Sequence, residues 1–362
     1  MTVRKPAAAI RVLERMAVAA DDHRRFQLES LEVIGEVVPF DVAVQTSIDP
    51  ATLLDTSCVP VGAPHDPDRE RRHFELEYRE DTPLSYRELA RRPARAAALR
   101  LEVEDPDTVP RFSEIIAPGG GCDELRATFV SGTDCWGSVT LYRRSTAFAE
   151  ADVSFFTAVS DVMARGLRTS FLRAAADNPQ SIDDPPGTML LGRSGEIIST
   201  TEAAERWIDA IEPGGGVPSV FRSLLAALDH DPAPRATVHG AAGPVTIHLA
   251  AAKGGDAVAA ILERPRPVEL TPVITAAHGL TARETDVASA VLRGLTTRQA
   301  ANLLEISEYT VQDHLKSVFD KVGVVTRGEL SFELLVRHYL PPTAAGASPG
   351  PYGFYLDEPQ PS

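Results

Sequence analysis

The sequence predicts a multidomain α+β chain in which two antiparallel-sheet domains precede an all-α domain of four short helices. Three observations predict it. The 362 residues exceed what one ordinary hydrophobic core organises. Two stretches rich in Pro, Asp and Gly, ADNPQSIDDPPG at Ala176–Gly187 and RPRPVELTP at Arg264–Pro272, break the helical and strand patterns. Strand signals recur before and between these breaks, whereas apolar residues at helical spacing dominate after the second. The expected layout is a first domain over residues 1–175, a linker at 176–187, a second domain over 188–264 and a linker at 265–273. A helical domain over 274–340 and a disordered tail over 341–362 complete it.

Composition narrows the function classes. The chain is 43% hydrophobic and 24% charged, as in soluble globular proteins, and no window approaches the roughly 18 uninterrupted apolar residues of a membrane span. Arg11, Glu14 and Arg15 interrupt the only apolar run near the N-terminus, so export is not expected and a cytoplasmic location is. Cys58, Cys122 and Cys135 are too few and scattered for a disulfide framework or a structural zinc site, and neither metal nor cofactor is expected. The net charge of -15 argues at first against nucleic acid. Its distribution matters more: Ile274–Leu340 has seven Lys plus Arg against eight Asp plus Glu, so a nearly neutral helical domain is attached to an acidic body that repels stray polyanions.

In the first domain, Ala7–Val38 shows two helical patterns, the second following the cap candidates Asp21 and Asp22. Strands are expected at Val42–Ile48 and Thr56–Val61, helical segments at Pro67–Arg79 and Pro83–Arg92, and strands again at Glu124–Val130 and Cys135–Arg143 across the turn SGTD. An amphipathic helix follows over Glu150–Ala175, with Val153, Phe156, Val159, Val162, Met163 and Leu167 at helical spacing. This order, with CWGSVTLYRR leading into FAEADVSFFTAVSDVMARGL, resembles a GAF sensor domain over roughly Asp22–Leu172. The resemblance implies a small-molecule sensor or dimerising module without naming a signal. Cys58, Phe129, Trp136, Thr140 and Tyr142 lie on the inferred strands and are candidate pocket residues, each weighed against ordinary core packing.

In the second domain, Met189–Leu191, the turn Arg193-Ser194-Gly195 and Ile197–Ile198 form a hairpin that passes through Ser199–Thr201 into a helix. Strands are expected at Arg235–Val238, Val245–Ala250 and Ala257–Leu262. The pattern resembles a degenerate PAS domain, again a sensor or dimerisation fold.

The helical domain has the sharpest signal. Thr281 with Glu284, Thr296 with Gln299, and Thr326 with Glu329 each fit a capping box, and Ser307 supplies a plain N-cap, so four helix starts are marked chemically. Gly294 ends the first helix, and Glu305-Ile306 separates the second from the third at helix-turn-helix spacing. In the third helix Val311, Leu315, Val318, Phe319 and Val322 form the packing face. Glu308, Tyr309, Gln312, Asp313, Lys316 and Asp320 form the other, whose amide, carboxylate and ammonium groups suit base edges of double-stranded DNA. Thr296, Thr297 and Thr310 stand at helix N-termini, where hydroxyls and amides hold phosphate oxygens.

Leu280-Thr281, Arg283-Glu284, Gly294, Ala300-Ala301, Leu304, Ile306-Ser307, Thr310-Val311, His314, Lys321-Val322 and Arg327 fall where the LuxR-type family has its pattern, and this segment closely resembles that helix-turn-helix. The resemblance implies base or groove contacts from Gln312, Asp313 and Lys316, phosphate contacts from Thr297, Thr310 and Lys321, and dimer contacts around Leu330 and Leu334. The family often has Lys at Gln312 and a neutral polar residue at Asp313. The expected whole is GAF-like and PAS-like antiparallel-sheet domains followed by an all-α four-helix LuxR-type domain, acting as a homodimer on DNA with a possible small-molecule ligand. Two other classes of function compete with this one. A protein-binding adaptor is suggested by Asp313 and the near-neutral domain. A sensor-domain enzyme finds no nucleophile elbow, metal-spaced cluster or Walker loop: Gly119–Gly121 and Gly214–Gly216 do not lead into GK[ST], and His314 reads as structural.

Overall fold

The computed structural model describes residues 5–62, 66–78, 82–177, 185–212, 217–240, 243–252, 256–265, 273–336, 348–349 and 355–356. Two five-stranded antiparallel sheets with packed helices precede a C-terminal helical segment. Most of both expected linkers lies outside the described residues.

The first sheet holds β1 (Val42–Ile48), β2 (Asp55–Val61), β3 (Ala96–Ala98), β4 (Asp123–Ser131) and β5 (Asp134–Arg143) in the order β2-β1-β5-β4-β3. Strand alternation sorts its side chains onto two faces. Ala43, Leu125, Ala127, Phe129, Val139 and Leu141 meet the long helix α6 (Glu150–Asp177), where Phe156, Val159, Met163 and Leu167 are buried in the same core. Helices α1 (Pro6–Ala19) and α2 (His23–Gly35) lie along α6. The Asp22 carboxylate accepts the Arg25 backbone N–H at 2.6 Å, so the acidic pair opens α2 as a cap. Gly166 admits the Phe26 ring between α2 and α6, since a Cβ there would stand 2.0 Å from Phe26 Cζ.

The opposite face is covered by α3 (Pro67–Tyr78), α4 (Tyr86–Leu89), α5 (Leu99–Glu102) and a π-helical turn at Phe112–Ile116. It buries charge in compensated pairs, as a low-dielectric interior requires. Arg126 donates to Glu77 at 2.7 Å with its guanidinium 3.7 Å over the Tyr86 ring, and Arg111 Nε donates to both Glu124 oxygens at 2.9 Å. The expected helix at Pro83–Arg92 shortens to α4, because Leu84 adopts a left-handed conformation at φ 62° just before it. β3 has no counterpart among the expected strands, since three alanines show no alternation.

The second sheet holds β6 (Gly187–Leu191), β7 (Ile197–Thr200), β8 (Arg235–Gly240), β9 (Gly243–Ala251) and β10 (Val258–Glu263) in the order β7-β6-β10-β9-β8. Counted within its own sheet, this is the order of the first. Helices α7 (Glu202–Ile211) and α8 (Val220–Ala227) cover one face, with Trp207, Phe221 and Leu224 buried against Met189, Ile247 and Leu262. Helix α8 also meets the first sheet: Ser223 Oγ donates to the Asp55 carbonyl at 2.8 Å, and Arg222 pairs with Glu70 at 2.7 Å.

A helical turn α9 (residues 273–277) leads into α10 (Ala282–Leu292), α11 (Thr297–Leu304), α12 (Glu308–Val322) and α13 (Arg327–Ser331). Their core is continuous with that of α1 and α6 through Val273, Ile274 and Ala277. In the expected tail, β11 (Ser348–Pro349) pairs with β12 (Tyr355–Leu356), and the rest of 341–362 lies outside the described residues. Among the described residues no helix is long and apolar enough to cross a membrane, and no cluster of metal-ligating side chains occurs.

Candidate DNA-reading helix and sensor cavity

Side-chain caps fix the ends of the C-terminal helices. Thr281 and Glu284 form a complete capping box at α10, as do Thr296 and Gln299 at α11, and the Ser307 hydroxyl accepts the Thr310 N–H at 3.0 Å to start α12. At α13 Thr326 accepts the Glu329 N–H, but the Glu329 carboxylate reaches one residue further back, to the Val325 N–H at 2.8 Å. Glu305, left-handed at φ 55°, makes the sharp turn between α11 and α12.

Helix α12 buries Val311, Leu315 and Val318 and turns the other side outward. Tyr309 is 73% exposed, and Gln312, Asp313, Lys316 and Asp320 are exposed beside it. Glu284 ties α10 to the far end of α12: its carboxylate accepts Ser317 Oγ and Lys321 Nζ, each at 2.6 Å, and the Thr281 N–H at 2.7 Å. Burial raises this carboxyl, but the donors from Lys321, Ser317 and Thr281 outweigh it and hold the group at about 2.

The second candidate site is a cavity of about 350 Å³ between the outer face of β1, β2 and β5, helix α3 and the turn at Phe112–Ile116. Val42, Val44, Phe74, Ile115 and Ile116 give it apolar walls; Cys58, His73 and Tyr142 add polar groups. Burial, together with the charges of Arg126, Arg111 and Arg69, lowers the His73 imidazole to about 3. Burial pushes the Cys58 thiol up to about 12 and the Tyr142 phenol well above its usual value.

Residues 278–332 match the family model of bacterial regulatory proteins of the luxR family. They form a LuxR-type helix-turn-helix domain. No curated protein matches the chain. Among solved structures, the chain is similar to the VqmA–ligand–DNA complex of Vibrio cholera, at 15% identity over 43% of this chain and 84% of that one, with a TM-score of 0.20. It is also similar to a phage VqmA–DPO complex, at 14% identity over 55% and 97% of the two chains and a TM-score of 0.23. The bacteriophytochrome RpBphP3 of R. palustris matches at 9% identity over 71% and 62%, with a TM-score of 0.30.

Within the LuxR-type domain the structure brings Tyr309, Gln312, Asp313 and Lys316 onto one exposed face. The residues expected at phosphates are engaged internally. Thr296 caps α11, the Thr297 hydroxyl accepts from Arg327 at 2.7 Å, Thr310 shares a hydrogen bond with Ser307 at 2.8 Å, and Lys321 holds Glu284. Leu330 and Leu334, expected at dimer contacts, are both 0% exposed within this chain, in the core they share with α10 and α12. Exposed Arg293 and Arg298 have no ion-pair partner among the described residues; sequence reasoning missed them because no spacing marks an unpaired cation.

Of the candidate pocket residues, Cys58 and Tyr142 line the cavity and three do not. Phe129 and Trp136 face α6, where Trp136 packs against Phe171, while the Thr140 hydroxyl is spent on Tyr86 at 2.5 Å. The missed wall residues include Val42 and Val44 of β1 and side chains of α3 and the Phe112–Ile116 turn, which approach the sheet only in the folded chain.

Proposed function

We propose that the chain is a sequence-specific DNA-binding transcription regulator, with the LuxR-type domain as reader and the two sheet domains, GAF-like over residues 1–175 and PAS-like over 188–264, as the controlling sensors. The observation that carries the reading is the outward face of α12, where Tyr309, Gln312, Asp313 and Lys316 project from a helix whose other side and start are fixed. Such a face fits the major groove, with Gln suited to adenine, Lys to guanine and Asp to the cytosine amino group. Support for the sensor domains comes from the two covered antiparallel sheets, the passage of the β4–β5 pair into α6, and the cavity. The reader acts as a homodimer on a two-fold site with half-sites about one helical turn apart. Phe332, 54% exposed, is the apolar side chain that the C-terminal end offers a second copy.

One observation favours a second reading, a protein-binding adaptor that no longer binds DNA: Glu308, Asp313 and Asp320 share the outward face with Lys316. Genomic-fragment selection with the purified full-length protein separates the two. The regulator enriches defined fragments, binds them more weakly as salt rises, and loses roughly tenfold affinity with Lys316→Ala, within the range of about 1–3 kcal/mol for a base contact. The adaptor enriches none.

A further inference from the structure

The cavity on the first sheet has features that ordinary packing does not produce. β1 lies between β2 and β5, so side chains on either face of so central a strand are expected to be buried, yet Val42 and Val44 are only half-buried because their face opens on the cavity. Phe74, Ile115 and Ile116 complete an apolar wall. The Tyr142 hydroxyl and the His73 ring also line it, and among the described residues neither has a hydrogen-bond partner. Both are half-buried and open on the cavity beside its apolar wall, so they are available to a ligand's polar atoms.

Charge narrows the class. The charged lining groups are committed or solvated: Arg69 donates to the Ile115 carbonyl at 2.5 Å, Glu70 pairs with Arg222 at 2.7 Å, and Asp66 and Arg144 are exposed. The interior groups Cys58, His73 and Tyr142 are neutral near pH 7. An ionic head placed there would lose its hydration, and the Arg69 guanidinium that would offset an anion is already held by the Ile115 carbonyl. The volume of about 350 Å³ equals roughly a dozen waters at about 30 Å³ each, near the lower end of ligand pockets.

We propose that this cavity takes a small uncharged molecule, mostly apolar, whose hydrogen-bonding groups are met by the Tyr142 hydroxyl and the His73 imidazole. The proposal rests on the reading that a small molecule controls the regulator, and adds the ligand's class and place. Its test is a charge series on one body: octan-1-ol, octanoate and octylammonium are titrated into the full-length protein by calorimetry and thermal unfolding. Octan-1-ol is expected to bind saturably and to raise the melting temperature, with the two ions at least tenfold weaker. Val44→Phe, which fills the cavity, should abolish octan-1-ol binding. Tyr142→Phe should weaken it three- to tenfold without lowering the protein's own melting temperature, because that hydroxyl has no hydrogen-bond partner to lose among the described residues.

Octanoate binding best, no saturable binding of octan-1-ol, or octan-1-ol binding untouched by both substitutions in folded protein would each overturn the proposal. Affinity for a selected DNA fragment, read in the same samples, separates the two inferences. Octan-1-ol that binds in the cavity without changing DNA affinity overturns ligand control and leaves the ligand class standing; DNA affinity that responds to octanoate alone does the reverse.

Discussion

Glu284→Gln tests whether the LuxR-type domain is held together by one buried carboxylate. The group is 5% exposed and accepts hydrogen bonds from the Thr281 N–H, Ser317 Oγ and Lys321 Nζ. Its depression from 4.5 to about 2 sets an upper bound of about 3.4 kcal/mol of stability at neutral pH, at about 1.36 kcal/mol per pKa unit. Lys321 is 35% exposed, so solvent screening brings the expectation to about 2 kcal/mol. The assay is native-state hydrogen exchange of α10 and α12 amides in the full-length protein. A loss of about 2 kcal/mol accelerates exchange there roughly 30-fold and leaves the second sheet unchanged. The sign with pH follows from the depressed value: the contribution is fully present above about 4.5 and is lost as pH falls toward 2. At pH 4 the gap between the two proteins should already be about 0.8 kcal/mol smaller. A change below about threefold at pH 7, or a gap that does not shrink on acidification, refutes the reasoning.

Three further outcomes are expected. Arg126→Met should destabilise the first domain by about 3–5 kcal/mol in urea unfolding, because it leaves Glu77 buried without its partner. Gly137→Ala should cost about 2–3 kcal/mol in the same assay, since its Cβ would stand 2.5 Å from Leu167 Cδ1 and 2.6 Å from the Thr46 carbonyl oxygen, the latter being backbone of a paired strand. Burial lowers the His23 imidazole to about 4, so the unfolded chain takes up its proton first on acidification. Stability should fall by up to about 2.6 kcal/mol between pH 6.5 and 4, and His23→Asn should flatten that slope in pH-dependent melting.

The parts legible in the sequence are those set by local chemistry. Hydroxyls followed three residues later by Glu or Gln place Thr281, Thr296 and Thr326 at helix starts, and alternation places β1, β2, β4 and β5 to within a residue or so. What stayed hidden is set by partners distant in the chain. The 4-residue α4 stops short of its pattern because Leu84 turns left-handed and Glu88 reaches back to the Leu84 N–H at 3.0 Å. Leu330 and Leu334 suit an interface and a core equally well as sequence, and their burial in the folded chain depends on segments distant from them. Phe129 shows the same limit on a strand. Period 2 separates faces, but the face bearing the cavity is chosen by α3, which follows β2 in the chain and not β4.

The two faces of the first sheet are assigned to different work by that packing. Helix α3 contributes His73 and Phe74 to the cavity wall, and one turn earlier its Glu70 pairs with Arg222 of α8, so the wall of the cavity is also part of the seam with the second sheet. Across the sheet, α6 packs on β4 and β5 and shares its apolar core with α9 and α10, and Arg168 of α6 lies against Gly279 just ahead of the reader. Gly279 has φ +70°, so it supplies a turn that other residues rarely adopt while leaving room for that guanidinium. A ligand bound to the outer face therefore acts directly on α3, on β1 and, through Tyr142, on β5, on whose inner face α6 rests. Whether such binding shifts the reader depends on differential affinity for two arrangements of these contacts, not on proximity. Arg222→Ala and Arg168→Ala separate the routes: the first should uncouple the cavity from the second sheet, the second should uncouple α6 from the reader, and ligand-dependent DNA affinity should change only with the substitution on the route in use.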